Sequence, residues 1–590
     1  MIHPLFRFPI LATLSVGLFF ACGQPSEDSE PEPGPTPTPP TDTSYVRPAI
    51  VADTIQGIVV DSTAIRINFS TEAAPETTLP EAGQATATLD GHNVYLKLQT
   101  PNQVVLVKGQ DAAASLTVES SADLILVLDS LDLTAVGQAP IRLYTTGACR
   151  VVIPDPSFCR LNDQSTDADS TKAALYSRGQ LLLSGCGQLE ISSKQHHGIS
   201  AKGGLSVVDT HINLQTAKDG LHSDTHIQLL RCLLEGDSQD DFVQSESGRI
   251  LGQGLDLSTS VSARKGTALT AGGCISLDSC RLAIELPGEA AKGIKSDSSI
   301  YLTDNTILIV STGQAIYDES TQDVSSAAGI KCNGDLVLDG DSHYLSVEAS
   351  GDGGKGLNVN GDIWLKAGTT RLATKGKTFT YGNLGTAAKA IKGSGRLIQE
   401  GGLLEASAQN DALACDGDVF LNGSCHLWAL DDAVKTLGSL SVNGDTVMAY
   451  SEQNDAFDAQ TGIYLQGGYI VAVGADADKK GAFETEGSLR ITGGEIIAVG
   501  NKNAKPSLLN STQCCLCFSR KQAFAEGTVI RLESADGREL MDYALPRAYS
   551  ERLQLTYSAP DLQKGQSYSL YSGQSLLAAF SQSSMVTELK

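Results

Sequence analysis

The sequence predicts an all-β protein, a right-handed parallel β-helix (a solenoid), on three observations. A three-residue corner motif recurs along the chain, with a polar residue first, usually Gly or Ala second and an apolar residue third. It begins at His197, Asp219 and Asp241, 22 residues apart, and at Lys389 and Asp411, also 22 residues apart. Between the motifs, short runs of alternating apolar and polar residues are separated by NG, GG or DG, which is typical of half-buried strands joined at tight corners. Helical periodicity is essentially absent.

The length of the repeat separates the β-helix from other β folds. About 22 residues are too few for the four strands of a propeller blade. A meander of hairpins is an alternative, but it gives no reason for the corner motif to return once per unit. In a parallel coil, equivalent residues of successive coils stack about 4.8 Å apart, so a corner that needs a small residue in one coil needs it in the next.

The amino-terminal segment predicts export and anchoring. In residues 1–22, Arg7 precedes an apolar run that is too short to span a bilayer comfortably, and a small residue precedes Cys22. This ending resembles a bacterial lipobox, which implies a lipid on Cys22; an ordinary secretion signal is the alternative. Residues 23–48 are acidic and then Pro-rich, as expected for a tether. The acidic residues after Cys22 resemble a surface-export signal, so we expect an outer-membrane lipoprotein exposed on the cell surface, with membrane contact through the lipid only.

The remaining chain divides into three predicted regions. Residues 49–170 form a β-strand entry region that caps the coil, residues 171–505 form the coils, and residues 506–590 form a C-terminal β segment. Caps are expected because an open coil end exposes the hydrogen-bonding groups of its strands.

Charge and composition narrow the classes of partner. Asp and Glu number 68 against 43 Lys and Arg, a formal net charge of -25, which repels phosphate backbones and argues against nucleic acid. The twelve cysteines after Cys22 match no zinc-binding spacing, and we interpret most of them as small buried residues.

Several motifs together resemble a known family. They are AKDGLHSD (217–224), AAKGIKSD (290–297), QNDALACDGD (409–418) and GSLRITGGEIIAVG (487–500). The chain, from about residue 55 to its end, is similar to calcium-containing, carbohydrate-binding parallel β-helix proteins with a pectate-lyase-like fold. The resemblance implies polysaccharide binding without catalysis.

Acidic residues at the late corner motifs predict a calcium site. If the coils are in register, these carboxylates lie about 4.8 Å apart and repel each other by roughly 1 kcal/mol in water. Ca²⁺ suits such a row of oxygen ligands. A second acidic group contains Asp219, Asp224, Asp240 and Asp241. The predicted metal ligands are Asp411, Asp432, Asp455, Asp431, Asn410, Asn454, Asp219 and Asp241. The alternative is that each Asp binds its own turn and that lysines at equivalent positions neutralise it.

Calcium also offers a way for an acidic chain to bind an acidic sugar, by bridging the two carboxylates. We therefore expect a pectin-like polymer or a glucan as partner, with Tyr317, Tyr381, Tyr450, Tyr464 or Tyr469 stacking on its rings. A structural adhesin and a polysaccharide lyase are the alternatives. The candidate bases of a lyase, Arg249, Arg264, Arg371 and Arg396, lie in no recognisable catalytic pattern, so no enzyme is predicted. The pair His196-His197 has no third metal ligand following it and is interpreted as a solvated corner.

Overall fold

The structure, a computed structural model, describes residues 58, 60–79, 85–165 and 172–590. The predicted signal, Cys22 and the tether lie outside these residues. The described residues form strands, turns and irregular segments, and none of them belongs to a helix that could cross a bilayer.

Three ladders of parallel strands run through the coils, and after the first coils each coil contributes one strand to each ladder. The first ladder consists of Asn93–Leu98, Leu116–Ser120, Ile141–Thr145, Ala173–Ser177, His197–Ala201, Leu221–Ser223, Val243–Ser245, Thr267–Ala271, Lys292–Ser296, Ala328–Cys332, Lys355–Val359, Lys389–Gly393, Leu413–Cys415, Val434–Thr436, Phe457–Ala459 and Phe483–Glu484. This arrangement confirms the predicted parallel β-helix.

The second and third ladders share two long strands, Gln103–Asp111 and Leu124–Ala135, at their amino-terminal end. The second ladder continues with Cys149–Val152, Leu181–Ser184, Leu205–Val208, Ile227–Leu230, Ile250–Gln253, Ile275–Asp278, Ile300–Thr303, Leu336–Asp339, Ile363–Leu365, Leu397–Gln399, Val419–Leu421, Ser439–Val442, Gly462–Leu465 and Ser488–Ile491. The third ladder continues with Phe158–Asp163, Gln188–Ser193, His211–Thr216, Leu233–Ser238, Asp256–Val261, Arg281–Leu286, Thr306–Ser311, Tyr344–Ala349, Thr369–Thr374, Leu403–Ala408, Ser424–Ala429, Thr446–Ser451, Tyr469–Val473 and Glu495–Gly500.

Columns of stacked apolar side chains fill the interior of the coils. In the first ladder, Ile199, Leu221, Val243, Leu269 and Ile294 pair in register, and all five are fully buried. Burying a side chain of this size stabilises the fold by about 1.5–3 kcal/mol. Nine of the twelve cysteines after Cys22 are also buried, and none of the twelve forms a disulfide, so the interpretation of most cysteines as small buried residues is confirmed.

Close approach between coils explains the glycine of the corner motif. A Cβ atom at Gly198 would lie 2.6 Å from the carbonyl oxygen of Gly220, and one at Gly220 would lie 2.6 Å from that of Phe242. A side chain at either position would therefore push successive coils apart.

The coils begin earlier in the chain than residue 171. Leu116–Ser120 and Ile141–Thr145 already stack in parallel with the next strand of the first ladder. The corner motif does not reveal these coils because Ser115 and Pro140 occupy the position that usually holds Gly or Ala. The strands of these first coils therefore stack although their sequences lack the corner motif.

Both ends of the described coils carry additional strands. At the amino-terminal end, Ile65–Phe69 and Glu76–Thr78 form an antiparallel pair, and Ala85–Asp90 pairs antiparallel with the first ladder. At the other end, Leu553–Ser558 covers the last strand of the third ladder in antiparallel fashion. The remaining C-terminal strands are Cys515–Arg520, Val529–Ser534, Glu539–Ala544, Ser567–Ser572, Ser575–Ser581 and Val586–Leu589.

Two hairpins are inserted between the third and first ladders. The first pairs Ile316–Asp318 with Asp323–Ser325, and the second pairs Phe379–Tyr381 with Leu384–Thr386. They account for the longer intervals between corner motifs in this part of the chain.

We predict that Leu338→Ala destabilises the protein by about 2–5 kcal/mol, because Leu338 is fully buried and its truncation leaves a cavity. Urea unfolding measures the loss. Leu308→Ala is the matched control, since Leu308 is 46% exposed, and its unfolding midpoint should stay close to that of the wild type. Equal losses in both variants would contradict the assignment of the core.

Candidate functional site

The corner motifs stack into one column along the first ladder, which we call the corner column. Strand register places Asp411, Asp432 and Asp455 in successive coils, as predicted. From its amino-terminal end, the column contains Ala173, His197, Asp219, Asp241, Thr267, Lys292, Ala328, Lys355, Lys389, Asp411, Asp432, Asp455 and Gly481. Its charge thus changes from acidic to basic and back to acidic.

The carboxylates of the late corner column bind the backbone of the next coil. Oδ1 of Asp411 accepts a hydrogen bond from the backbone N–H of Asp432 at 3.3 Å, and Oδ1 of Asp432 accepts one from Asp455 at 3.0 Å. Oδ1 of Asp455 accepts a hydrogen bond from the N–H of Gly481 at 2.7 Å. Hydrogen bonds to charged groups stabilise by about 1.5–3 kcal/mol, so these aspartates connect one coil to the next.

Lysines neutralise the same carboxylates through their second oxygen. The pairs and their Nζ–Oδ2 distances are Lys389–Asp411 (2.7 Å), Lys435–Asp432 (2.7 Å) and Lys480–Asp455 (3.1 Å). Burial raises the pKa of Asp432 to about 6, although the Lys435 ammonium opposes this shift. The repulsion that predicts a metal ion is therefore offset by ammonium groups.

The residues that precede the late corner column bind each other. Nδ2 of Asn410 donates to Oδ2 of Asp431 at 3.1 Å, and Nδ2 of Asn454 donates to Oδ1 of the same carboxylate at 2.6 Å. Both oxygens of Asp431 thus accept amide hydrogen bonds from neighbouring coils.

The predicted calcium ligands of the late coils are close together, but N–H groups already engage their carboxylates. Carboxylate oxygens of Asp411, Asp431 and Asp432 lie within 4.8 Å of one another. Ca²⁺ takes six to eight oxygen ligands, whereas here the same oxygens accept amide and ammonium hydrogens. This donor set fits a role in holding coils together better than a calcium site, and metal binding by these residues stays a prediction.

The early carboxylates differ from those of the late corner column in their partners. In the described part of the chain, no lysine or arginine forms an ion pair with Asp219, Asp240 or Asp241. Oδ1 of Asp219 accepts the N–H of Asp241 at 3.3 Å, and Oδ1 of Asp241 accepts the N–H of Thr267 at 2.7 Å. Burial, followed by the charges of Asp219 and Asp240, raises the pKa of Asp241 to about 7. The fourth acid of this group, Asp224, pairs with a lysine and lies outside the column.

The adjacent histidines are not a solvated corner, so that interpretation is wrong. His196 is buried, and its Nδ1 lies 3.0 Å from Oδ2 of Asp163. His197 belongs to the corner column, where Oδ2 of Asp219 lies near its Nδ1, and its ring centroid is 4.7 Å from that of His222. Sequence reasoning missed the group around His197 because it sought a third ligand beside the pair, whereas the partners of His197, Asp219 and His222, come from the next coil. Alignment of the coils by their corner motifs is the signal that finds it.

Six lysines occupy the middle of the first ladder and form what we call the lysine segment. They are Lys292, Lys295, Lys331, Lys355, Lys389 and Lys392. Lys295 pairs in register with Lys331, and Asn358 separates Lys331 from Lys392 in the same column. Lys295, Lys331 and Lys392 are half-buried or exposed, and among the described residues none of the three forms an ion pair or a side-chain hydrogen bond. Sequence reasoning missed this segment because its members are far apart along the chain.

Two buried members of the lysine segment hold the inserted hairpins. Nζ of Lys292 donates to Oγ of Ser325 at 3.1 Å, and Nζ of Lys355 donates to Oγ of Ser326 at 2.9 Å and to Oγ1 of Thr386. Burial and the neighbouring lysines lower the pKa of Lys292 to about 8 and that of Lys355 to about 7. These hydrogen bonds thus hold the hairpins next to the positively charged lysine segment.

Two of the five predicted sugar-stacking tyrosines lie on these hairpins. The rings of Tyr317 and Tyr381 stack with centroids 4.3 Å apart, and Tyr381 is 54% exposed. Arginine guanidinium groups lie over the rings of Tyr450 and Tyr464, at 5.3 and 5.2 Å from the centroids. Tyr469 packs against the C-terminal hydrophobic core. An exposed aromatic face is therefore found on the hairpins.

Ion pairs hold three of the four arginines considered for a lyase. These pairs are Arg264–Glu289 (3.8 Å), Arg371–Glu405 (2.5 Å) and Arg396–Asp362 (2.5 Å). Arg249 lies near His226, and its charge adds to the effect of burial in lowering the pKa of that histidine. A guanidinium paired with a carboxylate is held as a cation, which does not favour a role as a base.

We predict that Lys435→Met destabilises the protein by about 1–3 kcal/mol at pH 8, less than for a fully buried pair because the Lys435 side chain is 42% exposed. Without Lys435, the pKa of Asp432 rises further above about 6, so the uncompensated charge is present at pH 8 and removed by protonation near pH 5. Urea unfolding at both pH values measures the difference. Lys331→Met is the control, and an equal, pH-independent loss in both variants would contradict the role of the ion pair.

Comparisons with known proteins bear on the class of ligand. A family model described as carbohydrate-binding domain-containing protein matches residues 99–378, which include the early corner column and most of the lysine segment. Comparison with curated proteins gives no match, and comparison with solved structures gives none. The family match and the observed fold together support a carbohydrate-binding parallel β-helix.

Proposed function

We propose that the protein binds an acidic polysaccharide without catalysis, and that the lysine segment makes the main contacts. The observation that carries this proposal is the register of Lys295, Lys331 and Lys392, which have no carboxylate partner among the described residues of a chain with a net charge of -25. The family match to a carbohydrate-binding domain supports a sugar as the ligand.

Electrostatics favours an anion at this segment. Successive strands place Lys295 and Lys331 about 4.8 Å apart, where two ammonium groups repel each other by roughly 1 kcal/mol in water and more in a shielded position. Burial and the charges of Lys295 and Lys392 lower the pKa of Lys331. A polymer with regularly spaced carboxylates relieves this repulsion at several coils at once.

The inserted hairpins add an aromatic contact next to the charge. Lys292 and Lys355 fasten the hairpins to the lysine segment, and the exposed ring of Tyr381 stands on one of them. A sugar ring presents C–H groups that pack against an aromatic face. The proposed site therefore combines ammonium groups for carboxylates with a tyrosine for the ring.

Calcium bridging is a second arrangement for the same function. The carboxylates of Asp219, Asp240 and Asp241, which have no lysine partner in the described part of the chain, support it. Residues of the late corner column do not, because lysines neutralise them. Under this arrangement, removal of calcium would release the polymer.

We expect the triple variant Lys295→Glu, Lys331→Glu and Lys392→Glu to bind immobilised polygalacturonate at least about tenfold more weakly than the wild type, because three attractive contacts become repulsive. Retention is measured at low and high ionic strength, on polygalacturonate and on cellulose. Lys108→Glu, Lys521→Glu and Lys564→Glu form the control, which changes the net charge equally at exposed lysines elsewhere.

The outcomes separate the candidate functions. Equal retention of both triple variants contradicts the role of the lysine segment, and loss of retention in chelator then favours calcium bridging. Release of unsaturated products favours a lyase. Retention on neither polymer favours a structural adhesin.

We also propose that a lipid on Cys22 anchors the protein to the outer membrane with its coils outside the cell. The lipobox-like end of residues 1–22 and the tether that follows support this location. Cys22→Ser should move the protein from the membrane fraction to the soluble fraction. Cys186→Ser, at an exposed cysteine, is the control, and a Cys22→Ser protein that stays in the membrane fraction would contradict the anchor.

A further inference from the structure

Two histidines and one aspartate meet at the early corner column. Nδ1 of His197 lies 3.2 Å from Oδ2 of Asp219, and Nδ1 of His222 lies 2.8 Å from the same oxygen. The candidate ligand atoms of the three residues lie within 4.8 Å of one another. Their side chains are 16%, 3% and 12% exposed, so solvent reaches the two imidazoles but hardly reaches the carboxylate.

The hydrogen bonds around His197 indicate that Nδ1 carries a lone pair. The backbone N–H of Asp219 donates to this nitrogen at 3.2 Å, which a protonated Nδ1 could not accept. The same nitrogen faces the anionic Oδ2 of Asp219. Two electron-rich atoms at this distance repel each other unless a cation lies beside both.

Among the described residues, no ammonium or guanidinium group supplies that cation, which leaves an imidazole proton or a metal ion to do so. In the late corner column, a lysine occupies the second oxygen of each aspartate, whereas the second oxygen of Asp219 faces only His197 and His222 among the described residues. The carboxylates of Asp240 and Asp241 lie within 4.8 Å of that of Asp219 and add negative charge. The imidazoles therefore lie beside Asp219 as a lysine lies beside each late aspartate.

The donor set and its spacing fit a tetrahedral metal ion. Two ligands of Zn²⁺ with bonds of about 2.0 Å lie about 3.3 Å apart, close to the 2.8 and 3.2 Å separations found here. Imidazole nitrogen suits Zn²⁺, whereas Ca²⁺ takes oxygen ligands. The second nitrogen of His222, Nε2, lies 3.3 Å from Oδ1 of Asp224, and a carboxylate at this position orients a ligating histidine.

We propose that His197, Asp219 and His222 bind Zn²⁺, with Oε1 of Gln244, 2.9 Å from Nδ1 of His222, next to the fourth position. The site shares Asp219 with the predicted calcium ligands but takes a different metal, since its other ligands are His222 and His197, and the sequence analysis interpreted His197 as part of a solvated corner. It joins two successive coils, because His197 belongs to one and Asp219 and His222 to the next. Zinc binding does not depend on the carbohydrate-binding proposal.

Zinc binding is tested on the tag-free full chain in chelator-treated buffer, by isothermal titration with ZnCl₂ and by metal analysis after dialysis. We expect about one ion per chain, and Co²⁺ should give the visible absorption of a tetrahedral site. A large excess of Ca²⁺ should not displace the ion. Tightly bound zinc should also raise the midpoint of thermal unfolding.

The variants separate this site from other ligands. His197→Asn and His222→Gln should each weaken zinc binding at least about tenfold, while Asp432→Asn, in the same column, should bind like the wild type. All variants keep the thirteen cysteines of the full chain, so any zinc held by thiolates is common to them. Unfolding midpoints without metal show whether each variant is folded, and His222→Gln keeps a hydrogen-bonding side chain at the position with solvent access.

Two results would overturn the inference. One is the lack of saturable zinc binding by the wild type. The other is zinc binding by folded His197→Asn and His222→Gln proteins with wild-type affinity.

Discussion

Hydrogen bonds between parallel strands of successive coils set the position of every other group in this protein. They hold each coil about 4.8 Å from the next and in register, so one position of the coil becomes a column of side chains. Apolar columns such as that of Ile199, Leu221 and Val243 become the core. Polar columns become rows of side chains with like or opposite charge. The residues in each row decide which ions or ligands that part of the surface attracts.

The corner column shows how the same position serves three purposes. At Asp411, Asp432 and Asp455, a carboxylate binds the next coil through one oxygen and a lysine through the other. Lysines replace the acids in the middle of the first ladder, and among the described residues only Lys389 of these lysines forms an ion pair. Near the amino-terminal end, histidines stand beside Asp219. The backbone geometry is constant, so the chemistry follows from the residue that each coil places at the corner.

Much of the fold was predictable because it depends on local patterns. Alternation of apolar residues identifies strands, and a motif repeated every 22 residues requires equivalent positions to stack. The first coils were not found, since Ser115 and Pro140 interrupt the motif while the strands still pair. The interpretation of His196 as part of a solvated corner was wrong because its partner, Asp163, comes from the preceding coil.

The sequence by itself determined the parallel coil, the core columns and the stacking of the late aspartates, because these depend on residue type at a fixed period. Only the tertiary structure decided what each charged group meets. Lys435 pairs with Asp432, His222 lies beside Asp219, and Lys331 forms no ion pair among the described residues. Such pairings depend on the direction of side chains and on contacts between coils, and a period in the sequence specifies neither.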